Sequence, residues 1–310
     1  MRGLVLRGSR NIFTVRLDPG GTGGAAAELE CRIKGKILKG VEGFYNPLAP
    51  GDLVSLEAGG GDHPGTGQIL SLEERRTVFA RFNQKGQAPQ ILAANVDQIL
   101  CVTTPASPPF RPRFLDRVLL QGDIANIPSI IICNKWDLFR DDPDIQERLE
   151  DYRRIGYRTL QISVLTGEGM DELGALIAGR FSVLVGQSGV GKSSIINALV
   201  PGLSIRTGAL NEKYDRGNHT TTMSSMLDVP RWSARIIDTP GLRRLVPCGA
   251  GPGEIIFHMR EFAPLAGQCT YGLSCSHRTE PGCKIMEAVA AGVIHEDRYE
   301  SFLRIQDELL

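Results

Sequence analysis

The chain has 310 residues, with 35 basic and 35 acidic side chains, and charged residues make up 23% of it. This length and balance predict about two to three domains and exclude a disordered or polyelectrolyte chain. No apolar run approaches the roughly 18–20 residues that a transmembrane helix needs, and the first residues do not resemble a signal peptide. We therefore expect a cytoplasmic protein without membrane contact, and neither a secreted mini-domain nor a fibrous repeat.

The charge is unevenly distributed along the chain. Residues 71–90 contain four basic and two acidic groups, residues 181–250 contain eight and four, and residues 251–310 contain five and nine. Any contact with nucleic acid should therefore be local and not spread over one basic face. Ordinary surface variation explains the charge pattern equally well.

The first 72 residues show short segments typical of strands and no helical period. The segments are residues 4–6, Ile12–Leu17, 28–38, 53–56 and 67–70, with a turn at residues 50–52. Four or five short strands separated by turns predict a small β-barrel, for which the oligonucleotide-binding (OB) type is the leading candidate.

From about residue 95 the pattern changes to alternating strands and helices. The predicted strands are Gln98–Thr103, Ser129–Cys133, 159–164, 181–185 and 234–237, and the predicted helices are 113–124, 144–154, 169–178 and Lys192–Leu199. This alternation predicts a doubly wound α/β domain. Residues 203–222 interrupt it and predict a mobile loop, and after residue 245 we expect short helices around a Cys/His cluster.

The strongest motif is a glycine-rich loop between a predicted strand and a predicted helix. It matches GxxxxGK[ST] in full, with the residues Gly186, Gln187, Ser188, Gly189, Val190, Gly191, Lys192 and Ser193. In such a loop the backbone N–H groups and the helix dipole bind phosphates, Lys192 reaches the β- and γ-phosphates, and the Ser193 hydroxyl binds Mg²⁺. A chance glycine-rich turn is the alternative. The motif, called the P-loop below, predicts a nucleoside triphosphate site without specifying the base.

The residues that would select the base lie earlier in the chain, in Asn134-Lys135-Trp136-Asp137. The Asp137 carboxylate can accept from the N1–H and the amino group of guanine, a donor pair that adenine lacks. Asn134 can bind the purine edge or hold the loop, and the Lys135 stem can cover the ring. This motif alone is weak, but it stands one strand before a loop that begins with Ser163 and Val164, whose backbone amides could bind the purine carbonyl. Together the two loops predict guanine.

A third loop would sense the γ-phosphate. Asp238-Thr239-Pro240-Gly241 follows a predicted strand, where Asp238 could hold Mg²⁺ through water and Gly241 could donate its N–H to the γ-phosphate. The preceding loop ends in threonines, one of which would coordinate Mg²⁺, although the sequence does not say which. They are Thr220, Thr221 and Thr222.

The order of these motifs predicts a circular permutation. The guanine motifs at 134–137 and 163–167 precede the P-loop, whereas the usual GTPase begins with its P-loop and ends with the guanine motifs. The same sheet can form because only one connection between strands is cut and rejoined. The γ-phosphate loop is then continuous with residues 247–310. We therefore hypothesise that nucleotide state is passed to them as a hinge or order–disorder change.

Three cysteines and a histidine form Cys-x₅-Cys-x-His-x₅-Cys: Cys269, Cys275, His277 and Cys283. Four N/S ligands without an open position suit a structural, tetrahedral Zn²⁺, and free buried cysteines are the alternative. Cys248 could replace one ligand but lies distant in sequence. The other three cysteines occur in strand patterns and are predicted core residues: Cys31, Cys101 and Cys133.

With these motifs the sequence resembles the circularly permuted GTPases that assist late maturation of the small ribosomal subunit and are stimulated by it. The matching segments are residues 94–97, 134–138, 166–169, 186–194 (ending in Ser194), 216–222, 238–242, 275–277 and 280–283. The resemblance implies a multidomain protein: an N-terminal OB-type β-barrel (1–72), a circularly permuted P-loop GTPase α/β domain (73–246) and a C-terminal α-helical zinc-binding module (247–310). It also implies hydrolysis of GTP to GDP with Mg²⁺, one structural Zn²⁺, and contacts of the barrel and zinc module with ribosomal RNA.

The family also implies how water is activated. Its members carry an apolar residue where other GTPases have a water-orienting Gln, and that position here is Leu242. His219 matches the family's switch histidine and is our candidate catalytic residue; the alternative is a loop histidine that only caps or contacts RNA.

Four features depart from the family pattern. Five residues separate the first two cysteines where four are expected, and Val164 replaces the usual Ala. Residues 82–85 lack the expected polar linker, and the zinc segment is net acidic, so that few of its side chains could contact RNA.

We expect a monomer whose GTP form docks on the small subunit, where contact orders residues 208–222 and hydrolysis then releases the protein. The main alternative is a non-catalytic, GTP-switched RNA-binding scaffold in which Leu242 marks lost hydrolysis. A permuted GTPase of the large subunit is a third possibility, disfavoured because that relative normally lacks the flanking barrel and zinc module.

Overall fold

The structure is a computed structural model that describes residues 1–9, 11–18, 27–35, 38, 41–59, 65–139, 141–203 and 224–309. In these ranges the chain forms a barrel, a hairpin, a six-stranded sheet with helices and a C-terminal helical segment. The predicted fold class, an OB-type barrel followed by a permuted α/β domain and a Cys/His module, is confirmed. The predicted domain limits at 72/73 and 246/247 stay predictions.

The first five strands close a barrel in the order β1-β2-β3-β5-β4. They are β1 (Arg2–Ser9), β2 (Ile12–Leu17), β3 (Glu28–Ile33), β4 (Leu53–Ala58) and β5 (Thr66–Leu72). Alternate side chains point inward, and Val15, Cys31 and Leu56 are fully buried. β3 ends at Ile33, earlier than the predicted residue 38.

A two-stranded hairpin follows that the sequence analysis did not assign: β6 (Val78–Asn83) and β7 (Ala88–Ala94). Asn83 forms the turn, its Oδ1 accepting from the N–H groups of Lys85 and Gly86 at 3.1 Å each. The Phe82 N–H donates to the Val246 carbonyl at 2.9 Å. The hairpin is therefore attached to the segment that follows residues 238–241.

The six-stranded sheet has the order β10-β9-β8-β11-β13-β12 and is parallel except for β12. Its strands are β8 (Gln98–Thr103), β9 (Ser129–Cys133), β10 (Arg158–Gln161), β11 (Phe181–Gly186), β12 (Ser225–Val229) and β13 (Ala234–Asp238), and the helices between them are α1 (Pro112–Ile124), α2 (Pro143–Arg154), α3 (Met170–Ile177) and α4 (Lys192–Leu199). The edge strand β12 was not predicted. Apolar clusters cover both faces, one around Ile99 and Cys101 and the other around Leu100 and Val102.

The strand order confirms the circular permutation. β11, which leads into the P-loop, lies between β8 and β13 in the middle of the sheet, although three strands of the same sheet (β8, β9 and β10) and both guanine motifs precede it in the chain. Parallel strands bring their carboxyl ends to one edge, so the motifs after β9, β10, β11 and β13 share that edge. Neighbouring position in the sheet, and not order in the chain, decides which motifs meet.

The C-terminal segment consists of short 3-10 turns followed by α5 (Lys284–Ala290) and α6 (Glu296–Leu309). α6 packs on α1 through a buried ionic network centred on Asp116 of α1. Its carboxylate accepts from Arg298 Nη1 at 2.9 Å and from Ser301 Oγ at 2.5 Å, both on α6, and from Tyr152 Oη at 2.6 Å. Among the described residues no helix combines the length and apolar character that a bilayer span requires.

Candidate functional site

The P-loop joins the end of β11 at Gly186 to the start of α4 at Lys192. Gly189 and Gly191 have φ angles of +87° and +92°, which favour glycine. A Cβ on Gly191 would lie 2.3 Å from Asn134 Nδ2. The local backbone and the neighbouring loop therefore both require glycine at this position.

The lysine of the P-loop is buried beneath it. Lys192 Nζ donates to the carbonyl oxygens of Gly186 at 2.9 Å and Gln187 at 3.1 Å. Burial lowers the pKa of Lys192, and the nearby Asp238 carboxylate acts in the opposite direction. Ser193, the predicted Mg²⁺ ligand, is also buried, whereas Ser188 is exposed and Ser194 is half-buried. The ammonium group thus lies where the helix begins and donates to carbonyls of the loop.

The residues of the guanine motif contact the P-loop directly. Asn134 Nδ2 donates to the Val190 carbonyl at 3.0 Å, and Lys135 Nζ donates to the Gly189 carbonyl at 2.8 Å. Lys135 Nζ also donates to the Ser107 carbonyl at 2.5 Å, a contact that the sequence analysis did not foresee. The structure therefore brings together two motifs that lie more than 50 residues apart in the chain.

The second guanine loop lies against the first. Ser163 Oγ donates to Asp137 Oδ1 at 2.5 Å and accepts from the Thr166 N–H at 3.2 Å. Ser163 is fully buried, and Val164 packs half-buried against the apolar cluster of the sheet. Val164 therefore has an apolar environment in which its larger side chain, compared with the family's usual Ala, fits.

The loop after β13 touches the P-loop from the other side. A Cβ on Gly241 would lie 2.9 Å from Ser188 Cα, and the Leu242 N–H donates to the Gly186 carbonyl at 3.2 Å. Burial raises the pKa of Asp238 to about 6, with Lys192 opposing the shift. The Leu242 side chain is buried in the core. Residues 238–242 are therefore packed tightly on the loop predicted to hold phosphates.

Two buried acceptors at this edge lack a hydrogen-bond partner within the described ranges: Asn134 Oδ1 and Asp238 Oδ1. Buried polar atoms without partners are rare in folded proteins, so these two acceptors are expected to bind a water, an ion or a ligand. One belongs to the guanine motif and the other to the γ-phosphate loop. Both atoms are acceptors, so each can bind a hydrogen-bond donor or a cation.

The predicted switch residues cannot be compared with the structure. His219, Thr220, Thr221 and Thr222 lie outside the described residues, as does nearly all of the loop predicted at 203–222.

The four predicted metal ligands form one buried cluster, with all ligand atoms within 4.8 Å of one another. The Cys269 and Cys283 sulfurs lie 3.9 Å apart, and His277 Nδ1 lies 3.6 Å and 3.4 Å from them. Around a tetrahedral ion with metal–sulfur bonds of about 2.3 Å and metal–nitrogen bonds of about 2.0 Å, these separations would be about 3.8 and 3.5 Å. The cluster therefore fits a metal ion, with Nδ1 as the histidine ligand.

Two residues that the sequence analysis did not assign hold this cluster. The Glu280 carboxylate accepts from the backbone N–H groups of Ser276 at 2.7 Å and Arg278 at 3.0 Å. Hydrogen bonds from the side chain of Ser276 and then from its backbone hold the pKa of Glu280 well below its usual range. Tyr299 Oη of α6 donates to the His277 carbonyl at 2.6 Å. Glu280 belonged to a matching family segment, so a signal was present, but its role in bonding the loop amides was not evident.

The remaining cysteines are placed as the sequence indicated. Cys31, Cys101 and Cys133 are fully buried, and burial raises their thiol pKa values. Cys248 is not part of the four-ligand cluster. Its backbone N–H donates to Gln121 Oε1 at 2.8 Å. It is therefore no substitute ligand in this structure.

Comparison with known proteins shows which family this chain resembles. The RsgA GTPase family model matches residues 72–246. A Bacteroides fragilis protein named Small ribosomal subunit biogenesis GTPase RsgA is 36% identical over 312 residues (99% of this chain, 97% of the relative), and a Moorella thermoacetica protein of the same name is 39% identical over 280 residues (90% of each). The crystal structure of YjeQ from Thermotoga maritima covers 99% of this chain and 98% of its own, with 29% identity and a TM-score of 0.73. The chain therefore belongs to the RsgA GTPase family, and it is a GTP hydrolase.

Proposed function

We propose that this chain binds the small ribosomal subunit and its RNA, hydrolyses GTP to GDP and phosphate at a rate that the subunit stimulates, and assists late maturation of that subunit. The observation that carries the proposal is the match to proteins named small ribosomal subunit biogenesis GTPases over 99% of the chain, including the barrel and the Cys/His cluster. The protein acts in the cytoplasm as a monomer.

In this proposal the base of GTP lies between the two guanine loops. The Asp137 carboxylate accepts from the guanine N1–H and amino group, and Ser163 holds that carboxylate through their 2.5 Å hydrogen bond. The backbone around Val164 donates to the purine carbonyl. Asn134 and Lys135 hold the P-loop through its carbonyls. Adenine would leave the carboxylate without its donor pair, which favours GTP over ATP.

The phosphates lie along the P-loop. Backbone N–H groups of the residues from Gly186 to Ser194, with the N-terminus of α4, bind them, and Lys192 neutralises their charge. Mg²⁺ would be held by Ser193, by one of the threonines Thr220–Thr222 and, through water, by Asp238. It would supply positive charge that stabilises the transferred phosphoryl group. The Gly241 N–H binds the γ-phosphate. The unpaired Asp238 Oδ1 supports a cation at this position.

The residue after Gly241 cannot orient the attacking water. Leu242 has no polar side-chain atom, and its side chain is packed in the core. Another group must therefore orient the water, and we assign this role to His219 when the protein is bound to the subunit. Slow hydrolysis by the free protein and fast hydrolysis on the subunit follow from this arrangement.

The Cys269–Cys275–His277–Cys283 cluster holds one Zn²⁺. Its closed set of four ligands leaves no position for substrate, so the ion has a structural role. It stabilises a C-terminal segment whose apolar core includes the three cysteine side chains. The barrel and this segment provide contacts to ribosomal RNA.

The test is release of phosphate from GTP and from ATP, with and without purified small subunits. We expect strong stimulation by the subunits for GTP only. Equal release with and without subunits would contradict a subunit-dependent GTPase, and stimulated release from ATP would contradict the assigned guanine site.

A second measurement addresses His219. His219→Ala should retain GDP affinity and lose most of the stimulated rate, since the loop histidine is assigned to the water and not to the nucleotide. Unchanged stimulation in this variant would show that another group orients the water.

A further inference from the structure

A basic cavity of about 140 Å³ lies where the α/β domain meets the end of α6. Its polar lining consists of Arg113 and Arg117 of α1, Arg243 and Arg244 after the γ-phosphate loop, and Glu308 of α6. We call it the arginine cavity. Neither the nucleotide site nor the metal cluster includes any of these side chains.

The charges lining the cavity do not balance. Glu308 Oε1 lies 2.7 Å from Arg117 Nη2 and 3.1 Å from Arg244 Nη2. Arg113 pairs with Glu300 at 2.6 Å, outside the lining. Within the part of the chain that the structure describes, Arg243 makes no ion pair. Glu300 is also shared with Arg304 at 2.7 Å. The lining itself therefore has four guanidinium groups and one carboxylate, an excess of three positive charges.

We propose that the arginine cavity binds a phosphate group of RNA, and that Glu308 occupies the position of that phosphate in the free protein. This inference rests on the proposed function, which supplies RNA as the partner. A guanidinium binds carboxylate and phosphate through the same pair of parallel N–H bonds. Arg117 already presents this pair to Glu308, with Nη2 at 2.7 Å and Nε at 3.4 Å. A phosphodiester can therefore replace the carboxylate without rearrangement of Arg117.

The shape of the cavity favours a polymer over a free anion. Arg117 is buried at the base, whereas Arg243 and Arg244 are exposed at the rim. A single ion would reach the base and leave the rim uncovered. Successive phosphates of one RNA strand can bind both the base and the rim of the cavity.

The position also connects the cavity to the nucleotide. Arg243 is two residues after Gly241, which packs on Ser188 of the P-loop. On the other side, Arg81 Nη1 of the hairpin donates to the Arg244 carbonyl at 3.4 Å. RNA bound in the cavity would therefore shift residues 241–244, the segment that contacts the P-loop.

The test measures binding of a labelled oligouridylate to the full chain by fluorescence anisotropy over a range of salt concentrations. The variants are Arg243→Ala, Glu308→Gln and the control Arg158→Ala. Arg158 lies on the edge strand β10, outside the cavity lining, is 57% exposed and pairs with Glu172 at 3.4 Å. Its substitution removes one positive charge, as Arg243→Ala does. Arg243→Ala should weaken binding about 3–10-fold and reduce the salt dependence by about one phosphate contact, whereas Arg158→Ala should not. Glu308→Gln should tighten binding, because the competing charge is removed.

Equal binding by the Arg243→Ala and Arg158→Ala variants, or no tightening in Glu308→Gln, would overturn the inference. If inorganic phosphate saturates the site and oligouridylate does not compete with it, the site takes a free anion and the assignment to RNA is wrong. The series is repeated with purified small subunits. Failure of the wild-type chain to bind subunits would contradict the proposed function, while the oligouridylate series still decides on the cavity.

Discussion

The hydroxyl of Ser163, which follows β10, donates a 2.5 Å hydrogen bond to the carboxylate of Asp137, which follows the neighbouring strand β9. Ser163 is fully buried, so this bond fixes one oxygen of the carboxylate proposed to recognise guanine. Hydrogen bonds to charged groups are worth about 1.5–3 kcal/mol. The two guanine loops are thus one unit, joined by a side-chain contact.

Ser163→Ala should lower the affinity for GDP by about tenfold, because Asp137 loses the donor that orients it. Calorimetric titration with GDP measures the change. Ser129→Ala is the matched control: Ser129 is also buried, at the opposite end of β9 from the guanine motif. A loss of affinity in both variants would indicate a general packing effect.

Asp238→Asn should stabilise the protein at pH 8 when nucleotide and Mg²⁺ are absent. Burial raises the pKa of Asp238 from 3.8 to about 6, so the folded state holds its proton more tightly than the unfolded state. The stabilising contribution of the protonated carboxyl group is fully present below the pKa of the unfolded state. It is lost as the pH rises through the pKa of the folded state. The difference in the free energy of unfolding between variant and wild type should reach at most about 3 kcal/mol above pH 6 and disappear near pH 4.

Thermal unfolding at pH 8, 6 and 4 tests this. Asp171→Asn serves as the control, since that carboxylate is 89% exposed and its replacement should change the midpoint little at any pH. A constant difference between Asp238→Asn and wild type across the three pH values would contradict a titrating buried carboxylate.

Cys275→Ser should abolish binding of the metal ion, since three ligands remain of a closed set of four. Elemental analysis should find about one zinc per wild-type chain and little in the variant. Amide hydrogen exchange should accelerate around residues 269–283 and stay slow in β8 and β11. Cys248→Ser, outside the cluster, should keep the wild-type zinc content; loss of zinc there would mean that Cys248 is a ligand in solution.

Asp116→Ala should destabilise the packing of α6 on α1 by about 3–5 kcal/mol, because it removes a partner of the fully buried Arg298. Hydrogen exchange in α6 measures the loss. The control, Glu300→Ala, removes a carboxylate of α6 that is 38% exposed and should cost less than about 1 kcal/mol. Equal effects of the two substitutions would show that burial of the Asp116 network contributes nothing.

The strands and helices of the α/β domain were largely predictable. The bounds of β8, β9 and α4 are correct to the residue. β8 and β9 are largely apolar runs, and α4 begins within the P-loop motif. Local sequence alone specifies where such elements begin and end. The places of the P-loop, of the loops at 134–137 and 163–167 and of the Cys/His cluster in the fold were also predictable, since each is a short motif with fixed spacing. Their roles in binding guanine nucleotide and metal stay predictions.

The edge strand β12 and the β6–β7 hairpin were not predictable in the same way. β12 alternates only partly between buried and half-buried residues, so its sequence pattern alone does not indicate a strand. It forms a strand because it pairs with β13. The hairpin contains Pro89 and no two-residue turn signal, and it is held by contacts such as Phe82 with Val246.

The sequence by itself determined the local backbone of the nucleotide loops, because the positive φ angles at Gly189 and Gly191 depend on the residues that adopt them. It also determined which residues form the Cys/His cluster, since they lie within 15 residues of one another. Only the tertiary structure decided that a polar residue such as Asp116 is buried. Its partner Arg298 is 182 residues away, and a charge enters the interior only where a distant partner offsets its lost hydration.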